Sequence, residues 1–454
     1  MQKAPPHPAQ LELRDVPASD RWETIRRGSR LMSPKIGLLQ QVLEARHQAQ
    51  DPAFFAAGVL AADVARYRSD ARAVQAGGAG DDAATALVAA ICETAERYCS
   101  CIYDRDEMIL GSFRELAADA APPDRLRLFS REQVERCGGA RLDYFDDRAL
   151  VRWVWGTSLT ERRPRLVPAA LVYLNYREAA AEARIGSNGS TGLAAAATLE
   201  EAILGGLLEI VERDALTIGW LHRRAGRRIE IDGDDLESTL RTRLWSDHPR
   251  VDVKIFDMTL DLPIPVVFLV MRRPAEFGPA ICVGSAARLA PRQAVQKGMR
   301  EAGQAFPYCR HLLDKEQAWQ PAPDFSNVIS FEYHFLHYLK RPELVPQAFA
   351  FCDGCEDRVR LSEIPDRSTG RVLADLEHCI ARLGEAGYSV IVADLTTPEI
   401  FEVGLRVVRV IVPGLVPLHG SHPQPYLGVR RLFEVPRRRG WPQSGLNPFP
   451  HPFP

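Results

Sequence analysis

A short acidic motif, Glu-x-x-Glu-Arg, occurs twice in this sequence, each time within a long segment of helical periodicity. It spans residues 93–97 of a helix predicted over 83–101, and residues 209–213 of a helix predicted over 198–221. Its i, i+3 spacing places both carboxylates of a pair on one helical face. Apolar residues flank both pairs, and carboxylates in such surroundings need cationic partners. We therefore expect the helices to meet at a shared site of carboxylates and cations; a solvated face on each helix is the alternative.

A third predicted helix, over residues 291–305, carries Glu301 and Gln304 at the same i, i+3 spacing. Mg²⁺ takes oxygen ligands and bridges to phosphate groups. Four carboxylates around Mg²⁺ and a nucleotide form a coherent site, which the third pair would extend. The four carboxylates are those of Glu93, Glu96, Glu209 and Glu212.

Familiar nucleotide-binding signatures are absent from the sequence. No Gly-Lys-Ser/Thr follows a glycine-rich loop, and no Gly-x-Gly-x-x-Gly opens a helix after a strand. The run Gly-Gly-Ala-Gly over residues 77–80 has two interpretations. It either presents backbone N–H groups to a phosphate or forms a turn before the helix start at Asp81 and Asp82.

The cysteines indicate no specific site. Nine of them in 454 residues are not a disulfide framework, which predicts reduced thiols in a cytoplasmic protein. Cys352 and Cys355 form a single Cys-x-x-Cys, whereas structural zinc usually needs two such pairs. Cys99 and Cys101 are the alternative second pair, but they lie in the helix of the first acidic motif. No cysteine or serine has a neighbouring base in the sequence that would support covalent catalysis.

Charge and hydropathy exclude several classes of protein. A net charge of −2 and a pI near 6.6 argue against electrostatic nucleic-acid binding. No apolar run reaches the roughly 18 residues of a membrane-spanning helix, and residues 1–10 contain no apolar signal segment. With 46% hydrophobic and 26% charged residues, we expect a globular cytoplasmic protein with no membrane or nucleic-acid partner.

The remaining pattern predicts an α+β fold of mixed sheets and packed helices. Apolar or β-branched runs bounded by turns predict strands, and these cover residues 151–155, 167–176, 251–258, 265–271, 389–394 and 407–412. A further helix is predicted over 372–386, and a short charged helix within 1–30. Residues 307–370 give no clear prediction.

The sequence ends in Asn-Pro-Phe-Pro-His-Pro-Phe-Pro over residues 447–454. Alternating prolines exclude regular helix and sheet and favour a stiff polyproline II segment. Such a tail is either solvated, or a ligand for a partner's groove, or a means of delivering its terminal carboxylate into a site.

Taken together, these segments resemble the YcaO family from about Gly77 to the C-terminus. The segments in common are the glycine run with the first motif, residues 190–195, 199–202, 207–215, 300–304, 391–397 and 408–415, and the proline tail. The resemblance implies a YcaO-like, ATP-binding α+β fold. It also implies three parts: a lead and start of the fold over 1–76, a catalytic domain over 77–439 and a proline-rich tail over 440–454.

The resemblance implies roles for individual residues. The four motif glutamates would hold Mg²⁺ and the phosphates of ATP, and Glu209 and Glu212 would also act in catalysis. Pro454 would bring its carboxylate to the active site and assist proton transfer. Further residues of the nucleotide site would be Arg97, Glu201, Arg213, Glu301 and Gln304.

The activity that the resemblance implies is ATP-dependent cyclodehydration of a ribosomally synthesised precursor peptide. A Cys, Ser or Thr side chain attacks a backbone amide carbon, ATP phosphorylates the former carbonyl oxygen, and phosphate leaves a thiazoline or oxazoline. One alternative is a YcaO enzyme that forms a thioamide or amidine with an external nucleophile. Another is a catalytically silent scaffold, favoured by three departures from the family pattern. Alanine replaces a family Lys at Ala79, a Ser near Ala89 and Ala90, and a Gly-Asn at Ala196 and Ala197.

The resemblance implies partners as well. The YcaO-like segment starts by residue 77, which leaves no room for the E1-like (ThiF-like) domain fused in some relatives. We expect a separate E1-like protein that binds the leader of the precursor peptide. An FMN-dependent dehydrogenase that oxidises the azolines and a homodimer within the complex are further expectations.

Overall fold

The computed structural model describes residues 11–45, 51–63, 75–136, 142–187, 189–233, 235–236, 251–274, 279–442 and 444–453. The strands are β1 (Leu39–Glu44), β2 (Phe55–Ala61), β3 (Gln75–Gly80), β4 (Ile109–Gly111), β5 (Val151–Ser158), β6 (Arg163–Pro168), β7 (Leu193–Ala196), β8 (Arg227–Glu230), β9 (Asp252–Asp257), β10 (Val266–Arg272), β11 (Ile281–Ala287), β12 (Arg358–Arg360), β13 (Ile391–Asp394) and β14 (Arg406–Ile411). The helices are α1 (Arg21–Gly28), α2 (Ala83–Cys99), α3 (Phe113–Leu116), α4 (Pro123–Leu126), α5 (Arg131–Arg136), α6 (Ala169–Val172), α7 (Leu199–Leu221), α8 (Pro291–Lys315), α9 (Phe331–Lys340), α10 (Val345–Ala348), α11 (Ala350–Asp353), α12 (Val372–Glu385), α13 (Pro398–Glu402) and α14 (Arg431–Arg438).

The first sheet is antiparallel in the order β1-β2-β3, and helix α2 packs directly on β3. The turn predicted at residues 77–80 is wrong, because these glycines lie in β3. That their backbone N–H groups face a phosphate stays a prediction. A Cβ atom on Gly78 would lie 2.2 Å from the carbonyl oxygen of Ala86 in α2. Glycine is therefore needed for the close approach of strand and helix. This explains why the strand is as rich in glycine as a turn.

Helix α7 lies between the two larger sheets. One sheet has the order β4-β5-β13-β14-β7, with β6 paired to β5, and its strands are antiparallel. The other has the order β11-β10-β9-β8-β12, antiparallel except for the β8–β12 pair. Because α7 packs on β7 and β14 and also on β10 and β11, most of its residues are buried, including the charged Glu212. Glu212 of the second acidic motif therefore lies inside the core, whereas Glu209 and Arg213 are partly exposed.

Helix α8 covers β11 and is longer than predicted. The prediction ended it at residue 305, but it continues through Pro307 to Lys315. An internal proline removes one helical hydrogen bond. Phe306, Cys309 and Leu312 nevertheless continue the buried face beyond that point, and their burial offsets the loss.

The strand predicted over 167–176 is also wrong. Strand β6 ends at Pro168, which pairs with Trp153, and helix α6 follows at once. Proline has no N–H to continue a ladder, but it is tolerated at the start of a helix. The other predicted strands and helices are confirmed to within three residues, and α9, α10 and α11 lie in the region that gave no clear prediction.

The architecture confirms the predicted α+β fold of mixed sheets with packed helices. No helix among the described residues is long and apolar enough to cross a lipid bilayer. The described residues of the tail, 444–453, form neither helix nor strand, as the alternating prolines predict.

Candidate functional site

The first acidic motif lies on α2, next to strand β3. The helix starts at Asp82, whose carboxylate accepts the backbone N–H of Thr85 at 2.8 Å, a typical N-cap contact. Glu93 Oε2 accepts the backbone N–H of Gly77 at 2.8 Å. The Arg97 guanidinium lies 3.1 Å from a carboxylate oxygen of Glu93 and 3.6 Å from one of Glu96. The arginine of the motif thus offsets the charge of both its carboxylates.

The second motif repeats this arrangement on α7. The Arg213 guanidinium lies 3.7 Å from a carboxylate oxygen of Glu209 and 3.9 Å from one of Glu212. Glu212 is only 1% exposed, and it accepts the Ser285 hydroxyl at 2.6 Å and the Ala287 N–H at 3.1 Å from strand β11. Burial pushes the pKa of Glu212 upward, but the charges of Lys297 and Arg213 and the hydroxyl of Ser285 hold it below its ordinary value.

Helix α8 joins the third pair to the first two. Lys297 Nζ lies 2.6 Å from a carboxylate oxygen of Glu301 and 3.9 Å from one of Glu212. Gln304, one turn further along, faces Gly77, because a Cβ atom on that glycine would lie 3.7 Å from the Gln304 amide nitrogen. The i, i+3 pair of α8 therefore bridges from the α7 motif to the strand that contacts the α2 motif.

The two motifs are close enough for their charges to interact. Burial raises the pKa of Glu96 to about 8, and repulsion from Glu209 and Glu93 adds to this effect against the opposing charge of Arg97. Burial likewise raises the pKa of Glu209, with repulsion from Glu212. Buried carboxylates that repel each other and whose pKa values are raised form an arrangement that a cation would stabilise.

Sequence reasoning missed several residues of this site. Lys297 precedes Glu301 by four residues, a helical spacing that could have revealed it. Ser285 lies in β11, an unpredicted strand whose Gly-Ser-Ala-Ala stretch looks like a loop. Arg409 is fully buried in β14, where its guanidinium donates to the carbonyl oxygens of Val172 and Thr191 at 2.9 and 2.7 Å. Burial lowers its pKa to about 9, against the opposing charges of Glu96 and Glu209.

Glu201 lies apart from this group of hydrogen-bonded carboxylates. At the start of α7 its carboxylate accepts the Ser19 N–H at 2.8 Å and the Thr198 hydroxyl at 3.1 Å. Its charge acts on Cys92 of α2, so it faces the same helix as the motif but hydrogen-bonds to the N-terminal segment. Its role at a nucleotide site stays a prediction.

The proline tail docks between α7 and α9 of its own chain. The Asn447 N–H donates to Leu221 O at 2.7 Å, Trp220 Nε1 donates to Phe449 O at 3.1 Å, and the Tyr338 hydroxyl donates to Pro450 O at 2.5 Å. Arg213 lies close enough to His451 to lower the pKa of its imidazole, together with burial. The tail thus runs towards the second acidic motif, and Pro454 lies outside the described residues.

The predicted alternative of a zinc site built from cysteines is not supported. In the described part of the chain, Cys352 and Cys355 do not join Cys99 and Cys101 in a metal-binding cluster. Cys99 lies 3.5 Å from the Thr397 hydroxyl, and Cys355 contacts the carbonyl oxygen of Gly226. The two pairs are thus in different surroundings.

The sequence between residues 77 and 416 matches the profile of a family described as YcaO cyclodehydratase, ATP- and Mg²⁺-binding. The chain belongs to the YcaO family. The cofactors that the sequence predicted, ATP and Mg²⁺, are the ones that this family description names. The YcaO profile includes the three helices that carry the acidic pairs.

Solved structures and a curated protein are also similar to this chain. A heterocyclase in complex with substrate and cofactor superimposes with a TM-score of 0.77 at 25% identity, covering 98% of this chain and 59% of its own. This chain thus spans less than two thirds of that protein's length. YcaO from Methanopyrus kandleri, bound with AMPPCP and Mg²⁺, has a TM-score of 0.62 at 23% identity, covering 88% of this chain and 92% of its own. An uncharacterized protein of Methanothermobacter thermautotrophicus is 26% identical over 68% of this chain and 78% of its own.

Proposed function

We propose that this protein is an ATP-dependent cyclodehydratase that converts Cys, Ser or Thr residues of a precursor peptide into thiazolines or oxazolines. The observation that carries the proposal is the convergence of α2, α7 and α8, which brings two Glu-x-x-Glu-Arg motifs together with Lys297 and Glu301. The similarity to a heterocyclase at a TM-score of 0.77 and the YcaO family description support it.

The residues of the site fit Mg²⁺ and ATP. Carboxylate oxygens are the ligands that Mg²⁺ prefers, and burial together with the charges of Glu209 and Glu93 raises the pKa of Glu96, so that its ionised form would gain from a bound cation. Glu93, Glu96, Glu209 and Glu212 would hold the ion and position the phosphates. Bound there, the nucleotide would supply a phosphoryl group to the amide oxygen of the substrate, and that oxygen would leave together with the phosphoryl group as phosphate.

The chain's own groups would position the substrate and move a proton. A side-chain nucleophile attacks the amide carbon and loses its proton, which requires a nearby base. The terminal carboxylate of Pro454 is the base that we propose, because the docked tail runs towards Arg213. Arg97 and Arg213 would offset the charge of the carboxylates, so that phosphates can approach.

Partner proteins belong to the same proposal. We propose that a separate E1-like protein binds the leader of the precursor peptide. An FMN-dependent dehydrogenase and a homodimer within the complex complete the proposed assembly.

The test is mass spectrometry of the precursor peptide after incubation with the protein, its leader-binding partner, ATP and Mg²⁺. Each ring is expected to cost the peptide one water and to release one phosphate. Glu209→Gln is expected to abolish both, whereas Glu377→Gln, on the exposed face of α12, retains them. Binding of partner and precursor without nucleotide binding would favour the silent scaffold, and oxygen replaced by sulfur would favour an external nucleophile.

A further inference from the structure

Three buried imidazoles from distant parts of the chain come together beside the docked tail. His334 lies on α9, His419 lies between β14 and α14, and His451 lies in the tail; their exposed fractions are 0%, 2% and 1%. One ring nitrogen of each lies within 4.8 Å of one from each of the others. We call these three residues the histidine cluster.

Hydrogen bonds to carbonyl oxygens fix which nitrogens carry protons in two of the three rings, those of His334 and His451. A carbonyl oxygen only accepts, so His334 Nδ1 donates to His451 O at 3.2 Å and His451 Nε2 donates to His419 O at 2.7 Å. These bonds leave lone pairs on His334 Nε2 and His451 Nδ1. Histidines that bind metals typically donate their other N–H to a carbonyl or carboxylate in this way.

Two nitrogens of the cluster have no partner within the described part of the chain. They are His334 Nε2 and His419 Nδ1, both buried away from solvent. The lone pair of His451 faces only the Phe453 N–H, at 3.3 Å. Buried polar atoms are normally satisfied, so atoms left without partners in one cluster point to a ligand that it binds.

We propose that the histidine cluster binds one Zn²⁺ ion, separate from the carboxylate site. Neutral imidazole suits zinc, whereas carboxylate oxygens suit Mg²⁺. Three histidines with an open fourth position are an established zinc ligand set. The positive charge of nearby Arg213 is offset by Glu209 and Glu212. The ion would link the tail to α9 and to the segment of His419.

Binding requires a small rearrangement of the rings. Zinc–nitrogen bonds of about 2.0–2.1 Å place the nitrogens of tetrahedral ligands roughly 3.4 Å apart. In the structure the three histidine nitrogens lie within 4.8 Å of one another, so they must move closer together. The rings of His334 and His451 are stacked with centroids 3.7 Å apart and must tilt apart to direct both lone pairs at one ion. The rings of His419 and His451 are already perpendicular, at 4.9 Å.

The test uses the full-length protein, stripped with a chelator and then titrated with Zn²⁺ or with Co²⁺ as a visible substitute. One ion per chain is expected to remain after gel filtration, and excess Mg²⁺ is not expected to displace it. His334→Gln and His419→Gln are expected to bind the ion at least tenfold more weakly than the wild-type protein does. His337→Gln, a buried histidine of the same helix outside the cluster, retains it.

The spectrum of the Co²⁺ form decides between histidine and cysteine ligands. Visible Co²⁺ bands without a thiolate charge-transfer band support binding by the histidine cluster. This measurement uses the wild-type protein, so it does not depend on the folding of a variant. A thiolate band, no retained ion in the wild type, or equal retention by the cluster variants and His337→Gln would each overturn the proposal.

Discussion

Glu96 carries a proton near neutral pH when no cation is bound, because burial and the charges of Glu209 and Glu93 raise its pKa to about 8. Its neighbour Glu212 is more deeply buried but has a lowered pKa, since Lys297, Arg213 and a hydroxyl surround it. Carboxylates of one site therefore differ in pKa because the charges and hydrogen-bond donors around them differ, not because their sequence motifs differ.

We expect Mg²⁺ binding to release the proton of Glu96. Below pH 8 the cation must displace it, so the affinity for Mg²⁺ rises with pH and levels off above pH 8. Calorimetric titration with nucleotide present, in two buffers of different ionisation enthalpy, measures the protons released. Release is expected at pH 7 and not at pH 9, after subtraction of a titration without protein. An unchanged affinity between these pH values would contradict the assignment.

The acidic residues of the site could be predicted because helical spacing is a local property of the sequence. Glu93 and Glu96 share a face whatever the rest of the chain does. Ser285 could not be predicted as a partner of Glu212, because nothing in the sequence links a small residue of β11 to a helix that ends sixty residues earlier. Hydrogen-bond partners on different helices and strands are set by how these elements pack, and the local sequence pattern does not contain that information.

Glycines in strand β3 have a structural role that their composition conceals. Gly78 faces the backbone of α2, with a would-be Cβ atom 2.2 Å from Ala86 O and 2.4 Å from Ala90 N. Local reasoning assigns such a run to a turn, because glycine is uncommon in strands. Only the tertiary contact between β3 and α2 accounts for it.

We expect Gly78→Ala to destabilise the protein by about 2–3 kcal/mol or more, because backbone atoms cannot move aside for the added methyl group. Gly58→Ala in the adjacent strand β2 is the matched control, since its Cβ atom would meet only Leu43 O at 3.9 Å. Denaturant unfolding of both variants measures the difference. Equal stability would mean that β3 and α2 are further apart than described.

At the scale of the whole molecule, the order of the strands within each sheet could not be predicted. Strand β13 pairs with β5, joining Ile391 to Ser158 across more than half of the sequence. The strand segments were visible as apolar runs, but their pairing depends on contacts between distant parts of the chain. The fold class, in contrast, followed from the number and type of those segments.

A buried ion pair connects α7 to the C-terminal part of the molecule. Arg431 of α14, 2% exposed, donates from Nε to both carboxylate oxygens of Asp214 at 2.9 Å, and Asp214 also accepts the Val416 N–H at 2.8 Å. Arg431 also pairs with Asp261 at 2.6 Å, but Asp261 is 32% exposed, whereas Asp214 is a fully buried counter-charge. Removing the buried partner leaves much of the Arg431 charge uncompensated inside the protein.

We expect Asp214→Asn to lower the free energy of unfolding by about 3–5 kcal/mol. Arg438→Gln removes an arginine that is 61% exposed and lies 3.0 Å from Asp261, the second carboxylate that Arg431 binds, and is expected to cost about 1 kcal/mol or less. Urea unfolding of both variants measures the difference, and an Asp214→Asn variant as stable as Arg438→Gln would contradict the described pairing.

The docking of the tail is expected to matter for the reaction and not for nucleotide binding. Tyr338→Phe removes the hydrogen bond to Pro450 O, a loss of about 1 kcal/mol. Azoline formation is expected to slow several-fold at unchanged ATP affinity. Tyr333→Phe, on the same helix, loses only a 3.4 Å contact with Glu316 and serves as the control. Equal rates of azoline formation for both variants would show that docking of the tail does not contribute to the reaction.

The buried guanidinium of Arg409 has a consequence for how ligands enter. It adds a fixed positive charge beneath Glu96 and Glu209, so the described site nearly balances its own charges. The cations are Arg97, Arg213, Arg288, Lys297 and Arg409, and the carboxylates are Glu93, Glu96, Glu209, Glu212 and Glu301. A site that is almost neutral attracts neither a lone cation nor a lone polyanion. We therefore expect metal and nucleotide to enter as one complex, each binding weakly without the other.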